Sequence, residues 1–432
     1  MFWKLLLAVV GLGAAYYRWS RRRLYRLARE IPSGLKEYPI VGHAHMFLGG
    51  SEDYMQAIQK LSRVANQQGG LSSFWLSNRL FIGMTDPKSI ELVSKACLDK
   101  DEFTIKYIRM AIGNGSIFAP VNVWHPRRKI MAPFFNLKNL NQLVPVFQEK
   151  SAVMANLMQA EAGGGDFPIW KYMTTYTFDT VGETAAGTTI NSQENPDHFM
   201  LHDIDQCCHV VAQRGLQPWL HPDFIFKRLP IYKQFLCNML PKLIKKKRWT
   251  NFLDMIIQSS GGEEEGYSDE ELREETLVLM VAGNDTSAVG TSFTAVMLSR
   301  HPDVQDRVYR ELQEVFGNSD RAVTPEDLPR LKYLEAVIKE SLRLYPPVPI
   351  FTREVRKDVL LPSGTTLVDG TSIMILVWGT HRSPQYWGAD AELFRPERFL
   401  QGPLHHPAMY IPFSYSVRNC IGQYQYFSQL FI

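Results

Sequence analysis

The sequence predicts a mainly α-helical protein with small β-sheets. Up to about residue 350, the apolar residues recur mostly at helical spacing. Two short runs, LSSFWLS and LFIGM, are instead typical of strands. A clear helix start follows the glycine-rich stretch Gly261–Gly266, which we expect to be a loop. There Ser268 and Glu271 form a capping box.

The helix that begins after Ser268 is the longest predicted element. It continues without proline to about Ser299, which gives about 30 residues and a length of roughly 45 Å. Its middle, LVLMVAGNDTSAVGTSFTAVML, is apolar nearly all round, so we expect this helix to cross the protein interior.

The composition is that of an ordinary globular protein. Of 432 residues, 45% are hydrophobic and 21% are charged, and the net charge of +3 gives no general attraction to nucleic acid. The five cysteines are few and irregularly spaced, which argues against a disulfide framework and favours a reducing compartment. No CxxC pair or His/Cys cluster suggests zinc. The cysteines are Cys97, Cys207, Cys208, Cys237 and Cys420.

The first 20 residues are predicted to be a membrane anchor. An apolar stretch, Leu5 to Tyr17, is followed by several arginines, which the positive-inside rule keeps in the cytosol. A cleaved signal peptide is the less favoured alternative. Residues 21–45, basic and then rich in proline and glycine, are predicted to be a linker. A further basic run, KLIKKKRW at 242–249, is interpreted as a solvated helix face rather than a lipid contact.

Polar residues interrupt the long apolar helix at Gly283, Asn284, Asp285 and Thr286. A buried carboxylate or hydroxyl is unfavourable unless it has a partner. A threonine that bonds back to its own helix would be a structural explanation. Proton chemistry within the interior would be a functional one, but the helix taken alone favours the structural explanation.

Three further motifs are individually weak. Glu340 and Arg343, three residues apart in YLEAVIKESLRLYPP, face the same side of a predicted helix, which by itself indicates only an ion pair. Arg398 follows a proline turn in FRPERFL. In VWHPRRK, Trp124 and Arg128 lie one helical turn apart, and Pro126 should then occupy the first turn.

Cys420, in PFSYSVRNCIGQ, is either a buried small residue or a metal ligand. A thiolate ligand needs N–H donors, which a helix that starts near Gly422 would supply. Arg418 could pair with an anionic group of a cofactor. One cysteine cannot build a zinc or iron–sulfur site, so the metal would have to bring its other ligands with it. Haem does so, and cysteine is the axial ligand that assists O–O cleavage.

The order of these motifs along the chain resembles that of the cytochrome P450 family. The resemblance runs from the N-terminal segment to the cysteine loop, and it is greatest for the microsomal fatty-acid-hydroxylase branch and its insect relatives. It implies the P450 fold, with the long central helix over the haem. The catalytic domain would then span residues 46–432, behind the anchor at 1–20.

The resemblance also implies roles for individual residues. Cys420 would be the axial ligand of the iron of haem b, with Phe413 near its sulfur and Gly422 beside the cofactor. The haem propionates would be held by Trp124, Arg128, Arg418 and Arg353. A buried structural triad would consist of Glu340, Arg343 and Arg398. Asp285 and Thr286 would deliver protons to oxygen, and Ala282 and Gly283 would shape the oxygen groove.

The chain departs from the family pattern in three places. Ser416 stands where glycine is usual, at a cost of order 1 kcal/mol if that position needs a positive φ. Ala282 replaces the glutamate that some members of this branch esterify to haem, so no covalent link is expected. The segment IGQYQYFSQLFI is short and has a poor helix repeat. It suggests a truncated chain, an alternative transcript or an error in the gene model.

The implied function is that of a haem-thiolate monooxygenase in the endoplasmic reticulum membrane, with its catalytic domain in the cytosol. It would insert one oxygen atom from O2 into a lipophilic substrate, fatty-acid-like, hormone or xenobiotic. Electrons would come from NADPH through a separate reductase, since the chain has no GxGxxG motif, and cytochrome b5 is a second candidate donor. Two alternatives are a non-catalytic haem- or lipid-binding relic and an isomerase or dehydratase that acts on a peroxide.

Overall fold

The computed structural model describes residues 1–230, 232, 267–319 and 321–432. Within these ranges the chain is mainly helical, with two small sheets, as predicted. The loop expected at 261–266, the basic run at 242–249 and Cys237 lie outside the described residues.

The helices before the gap are numbered in chain order. They are α1 Phe2–Ser20, α2 Arg22–Glu30, α3 Ser51–Gln67, α4 Pro87–Ala96, α5 Glu102–Ile112, α6 Val121–Met131, α7 Leu137–Asn141, α8 Val144–Met158, α9 Trp170–Thr184, α10 Phe199–Leu216 and α11 Asp223–Phe226. After the gap follow α12 Asp269–Arg300, α13 Pro302–Phe316, α14 Lys332–Leu344, α15 Val377–Thr380, α16 Pro384–Trp387 and α17 Gln423–Phe431.

The strands form one sheet of four strands and one of two. The strands are β1 Leu71–Leu76, β2 Arg79–Met84, β3 Phe351–Glu354, β4 Val359–Leu360, β5 Thr366–Leu367 and β6 Ser372–Ile375. The larger sheet has the order β1-β2-β6-β3, in which only the β2–β6 pair is parallel. The predicted strand runs LSSFWLS and LFIGM correspond to β1 and β2, whose apolar residues are buried.

The long central helix is α12, and it begins and ends where the sequence predicts. The Ser268 side chain accepts a hydrogen bond from the Glu271 N–H, and the Glu271 carboxylate accepts one from the Ser268 N–H. The helix packs against α9 on one side and α14 on another. At Gly283 the contact with α9 is close, since a Cβ there would lie 2.9 Å from Cγ2 of Val181. Glycine at this position therefore allows the two helices to pack closely.

The prediction that Pro126 lies in a first helical turn is wrong. Helix α6 begins at Val121, so Pro126 lies in the second turn. Proline lacks the N–H that would bond to the carbonyl of Asn122, four residues earlier. Both Asn122 and Pro126 are exposed, so water can satisfy that carbonyl and the helix tolerates the proline.

The prediction that IGQYQYFSQLFI is a poor helix is also wrong. Gly422 is the N-cap of α17, which continues to Phe431. The aromatic residues do not form one simple stripe because α17 contacts α7, α8, α12 and α14, which surround it on several sides. Its apolar residues join the same cluster as Val308 and Val337. Packing against several neighbours outweighs the weak local repeat.

The predicted anchor forms helix α1, whose residues are all exposed. No helix in the described part of the chain combines the length and the apolar character that a membrane crossing requires. Part of the predicted linker forms helix α2. Leu27 of this helix and Ile31, which follows it, are buried against the larger sheet.

Candidate haem-binding site

Backbone hydrogen bonds hold the loop that precedes and contains Cys420, called the cysteine loop. The Cys420 N–H donates to the Phe413 carbonyl at 2.8 Å, and the Asn419 N–H donates to the Ser416 carbonyl at 3.0 Å. Ser416 has φ +67° and Ser414 has φ +64°, so both serines lie in the left-handed region. The positive φ expected at Ser416 is therefore present. Phe413 packs against Tyr426 and Phe427 of α17, with ring centroids 5.2 and 5.6 Å apart.

The thiol of Cys420 is accessible although neighbouring elements surround it. Burial raises the pKa of this thiol, while the Gly422 N–H and the positive Arg128 act in the opposite direction. The N–H donor expected from a helix start is thus supplied at the N-cap of α17. Such donors stabilise a thiolate, and coordination by a metal deprotonates a thiol outright.

Two predicted propionate residues lie on α6, beside the cysteine loop. The Arg128 guanidinium donates to the backbone carbonyl and to the side-chain oxygen of Asn419, both at 2.9 Å. The Arg418 guanidinium lies over the Trp124 ring, 4.5 Å from its centroid. Arg418 also donates to the carbonyls of Leu98 and Ala119, each at 2.8 Å.

A cluster of positive charge is buried next to these residues. Burial lowers the pKa of Arg418 and of Arg353 to about 10 in each case. Arg353, only 1% exposed, donates one hydrogen bond to the Thr352 carbonyl, whereas its Nε has no partner among the described residues. Burial, and then repulsion from Arg353 and Arg418, lowers the pKa of Lys100 well below its usual range.

The cation cluster of Lys100, Arg353 and Arg418 fits an anionic cofactor. Within the described ranges, no carboxylate lies at ion-pair distance from any of the three. The charge of Asp99 acts on Arg418, but it forms no ion pair with the cluster. Cations without a paired carboxylate and an orphaned guanidinium N–H are arrangements that carboxylate groups such as the haem propionates would satisfy. Sequence reasoning missed Lys100 because it belongs to no motif, and only folding brings it near residues some 250 and 320 positions later in the chain.

The predicted triad is assembled and buried. Glu340 and Arg343 on α14 are both 0% exposed, and they form a bidentate pair with N–O distances of 2.7 and 2.8 Å. Arg398 Nε donates to the same carboxylate at 3.2 Å. Arg343 also donates to the carbonyls of His381 and Ala391. The pair is therefore part of an interior network, rather than the surface ion pair that its spacing alone would indicate.

The polar residues of α12 find partners within the interior. Thr286 Oγ1 donates to the Ala282 carbonyl at 2.6 Å, which is the structural back-bond considered above. Asn284 is 1% exposed and accepts a hydrogen bond from Thr177 of α9 at 2.6 Å. This cluster lies one to two turns before Gly290, where α12 meets Tyr426 of α17.

Asp285 is a half-buried acid. Burial, and then the negative charge of Asp205, raises the pKa of its carboxyl group, while hydrogen bonds from Asn284 and Cys208 act in the opposite direction. The Asn284 amide donates to this carboxylate at 3.3 Å. A carboxyl group with a raised pKa can hold a proton nearer neutral pH than an exposed aspartate can. Asp205 and Cys208, both on α10, were not identified from the sequence.

Comparisons with known proteins show the family of the chain. The sequence model of the family described as Cytochrome P450 matches residues 32–425. Cytochrome P450 4V2 of Mus musculus is 31% identical over 439 residues, which cover 94% of this chain and 82% of that protein. Cytochrome P450 4d2 of Drosophila melanogaster is 32% identical, covering 97% and 89% of the two chains. Cytochrome P450 4c21 of Blattella germanica is 32% identical, covering 97% and 88%.

The family implies haem b as the cofactor, O2 as the co-substrate and a reductase as the source of electrons. The match covers most of the chain, and the relatives named above carry family-4 names at about 30% identity. The chain therefore belongs to the cytochrome P450 family and is a monooxygenase of that family.

Proposed function

We propose that this P450 inserts one oxygen atom from O2 into a C–H bond of a lipophilic substrate, with Cys420 as the axial ligand of the haem iron. The observation that carries the assignment is the cysteine loop, which presents an accessible thiol between the Gly422 N–H and the Arg128 guanidinium. The fatty-acid-like, hormone or xenobiotic nature of the substrate is part of the proposal. When bound, haem supplies the iron that activates O2.

The cation cluster would hold the haem propionates. Arg353 and Arg418 keep the roles predicted from the sequence, and Lys100 is added to them as a third cation. The orphaned Nε of Arg353 and the mutual repulsion of the three cations support this assignment. Trp124 and Arg128 are also proposed to contact the propionates. Trp124 would in addition support Arg418 through the stacking contact, and Arg128 would also hold Asn419 beside the thiol.

Proton delivery is proposed for Asp285 and Thr286. The raised pKa of the Asp285 carboxyl group suits a residue that holds a proton and then releases it. The Thr286 hydroxyl donates to the Ala282 carbonyl, and its oxygen remains able to accept a hydrogen bond from another donor. Ala282 and Gly283 are proposed to shape the oxygen groove, with the close contact of Gly283 to α9 fixing the position of this turn.

The cellular setting is also a proposal. Residues 1–20 would anchor the protein in the endoplasmic reticulum membrane, residues 21–45 would link the anchor to the body, and residues 46–432 would face the cytosol as the catalytic domain. NADPH–cytochrome P450 reductase would supply electrons, with cytochrome b5 as a second candidate donor. The arginines that follow the apolar stretch support this orientation.

A carbon-monoxide difference spectrum of the reduced, haem-loaded protein tests the assignment. We expect the red-shifted Soret band typical of a thiolate ligand, and we expect Cys420→Ser to abolish it. Cys207→Ser is the matched control because Cys207 lies on α10, in a different apolar cluster. If the wild-type protein lacks this band, or if Cys420→Ser retains it, the proposed function is wrong.

A further inference from the structure

His381 links the buried triad to the segment that leads into the cysteine loop. It directly follows α15 and is 0% exposed. Its ring stacks on Tyr410, with ring centroids 5.4 Å apart. On one side lies Arg343 of α14, and on the other lies Ile411, two residues before Phe413.

Both ring nitrogens of His381 have backbone partners. Nε2 accepts a hydrogen bond from the Ile411 N–H at 2.8 Å, so this nitrogen carries no proton. Nδ1 lies 3.2 Å from the Arg343 carbonyl, which can only accept, so Nδ1 carries the proton. The two contacts together require one neutral tautomer. Burial beside Arg343 and Arg382 agrees with this, since it lowers the pKa of His381 to about 3.

Arg343 and His381 also bond in the reverse direction. Arg343 Nη1 donates to the His381 carbonyl at 2.7 Å, while the His381 ring donates to the Arg343 carbonyl. The position of the imidazole is therefore fixed by the same arginine that Glu340 holds in the triad. A ring held at both its backbone and its Nδ1 presents Nε2 at a defined place.

From Ile411 the hydrogen bonds continue into the cysteine loop. The Ile411 carbonyl accepts from the Ser414 N–H at 3.1 Å, at the first of the two serines with a positive φ. The carbonyl of Phe413 then accepts from the Cys420 N–H at 2.8 Å. Each link is a short backbone contact, so a shift of Ile411 would move the base of the loop.

We propose that His381 is a positioning residue for the axial thiolate: it holds Ile411 at a fixed distance from the triad and thereby sets the place of Cys420. This inference rests on the proposed function, because it assumes that Cys420 binds the haem iron. His381 does not touch the cofactor site itself. Its contribution passes through the hydrogen bond that its Nε2 accepts from the Ile411 N–H, and it is lost when Nε2 is removed.

The first test measures hydrogen exchange of the Ile411 amide in the haem-free full-length protein. We expect His381→Leu, which has no acceptor, to accelerate exchange at Ile411 at least about tenfold. His381→Gln, whose amide oxygen can accept, should restore most of the protection. Tyr410→Phe is the matched control, because it keeps the ring that stacks on His381 and removes only the bond from the phenol to the Lys339 carbonyl, leaving the hydrogen bonds of Ile411 in place. Equal exchange rates in the leucine variant and in wild type would overturn the proposal.

The second test is spectroscopic and uses haem-loaded protein. We expect the thiolate-type Soret band of the reduced carbon-monoxide complex to give way largely to the thiol-type band in His381→Leu. It should persist in His381→Gln and in Tyr410→Phe. A leucine variant that keeps as large a thiolate fraction as Tyr410→Phe would refute the positioning role.

The test can still be interpreted if His381→Leu does not fold or if wild type lacks the thiolate band. If His381→Leu does not fold, His381→Asn replaces it, because this side chain is one methylene shorter than glutamine and should not reach both partners. A thiolate fraction in the asparagine variant equal to that of His381→Gln would then refute the role. If wild type itself lacks the thiolate band, the proposed function fails, while Ile411 exchange still reports whether His381 holds the segment.

Discussion

The phenol of Tyr426 occupies the space that a side chain at position 290 would need. An ideal Cβ built on Gly290 would overlap the Tyr426 hydroxyl and lie 2.8 Å from its Cζ. Helix α17 can therefore pack against α12 only because residue 290 has no side chain.

Gly290→Ala should destabilise the protein by about 1–3 kcal/mol, since the added methyl group overpacks this contact. Denaturant unfolding measures the change. Gly215→Ala, at a helix position where a Cβ meets open space, is the matched control and should be neutral or slightly stabilising. If Gly290→Ala proves as stable as the control, the packing of α17 on α12 is not as described.

Ser416→Gly should stabilise the protein by up to about 1 kcal/mol, because serine is strained at φ +67° whereas glycine is not. The same change at Ser299, an exposed residue within α12, should instead destabilise by about 0.5–1 kcal/mol. Thermal unfolding of the two variants compares the signs. A lower melting temperature for Ser416→Gly than for wild type would contradict the strain argument.

Lys100→Met should have opposite effects on the haem-free and the haem-bound protein. Without haem it should stabilise the fold, because the repulsion from Arg353 and Arg418 disappears. With haem it should speed cofactor loss, measured by transfer to apomyoglobin, because one cation for the propionates is missing. The exposed Lys106, which stacks on Tyr107, provides the control variant Lys106→Met. Unchanged haem loss in Lys100→Met would remove this lysine from the site.

Glu340→Gln should destabilise the protein by about 3–5 kcal/mol, because it leaves Arg343 as a buried charge without its counter-ion. Glu335→Gln on the same helix removes only the half-exposed pair with Lys339 and should change stability by less than about 0.5 kcal/mol. Equilibrium unfolding of both variants gives the difference. Equal losses would mean that the triad contributes no more than a surface ion pair.

The free energy of unfolding should fall below about pH 6.5 because of His381. Its pKa is about 3 in the folded state and near 6.5 in the unfolded chain, so the unfolded chain binds the additional proton between these values. The contribution of neutral His381 to the free energy of unfolding is complete above pH 6.5. It is lost progressively towards pH 3, at up to about 1.4 kcal/mol per pH unit. His381→Gln should flatten this slope, and an unchanged slope in that variant would contradict the role of His381.

Local sequence patterns predicted the features that depend on contacts within one helical turn. The capping box at Ser268 and Glu271 marked the start of α12 because both partners lie within one turn. The spacing of Glu340 and Arg343 predicted that they share a side, but their burial depends on carbonyls some 40–50 residues later in the chain. Folding likewise brings Lys100 and His381 to their partners from distant parts of the chain, so no motif pointed to either.

The two wrong predictions have one cause. Pro126 and the α17 segment were judged by local propensity, which ignores what surrounds a helix. Solvent at Asn122 allows the proline, and packing on several sides allows the aromatic residues of α17. In both cases the surroundings of the helix determined whether it forms, and short windows of sequence do not contain that information.

The cation cluster also bears on how the protein matures in the cell. Under the proposed assignment, a folded haem-free chain holds Lys100, Arg353 and Arg418 together at an electrostatic penalty, which the two carboxylates of the cofactor would reduce. Insertion of the porphyrin would then shift the equilibrium from the unfolded towards the folded chain.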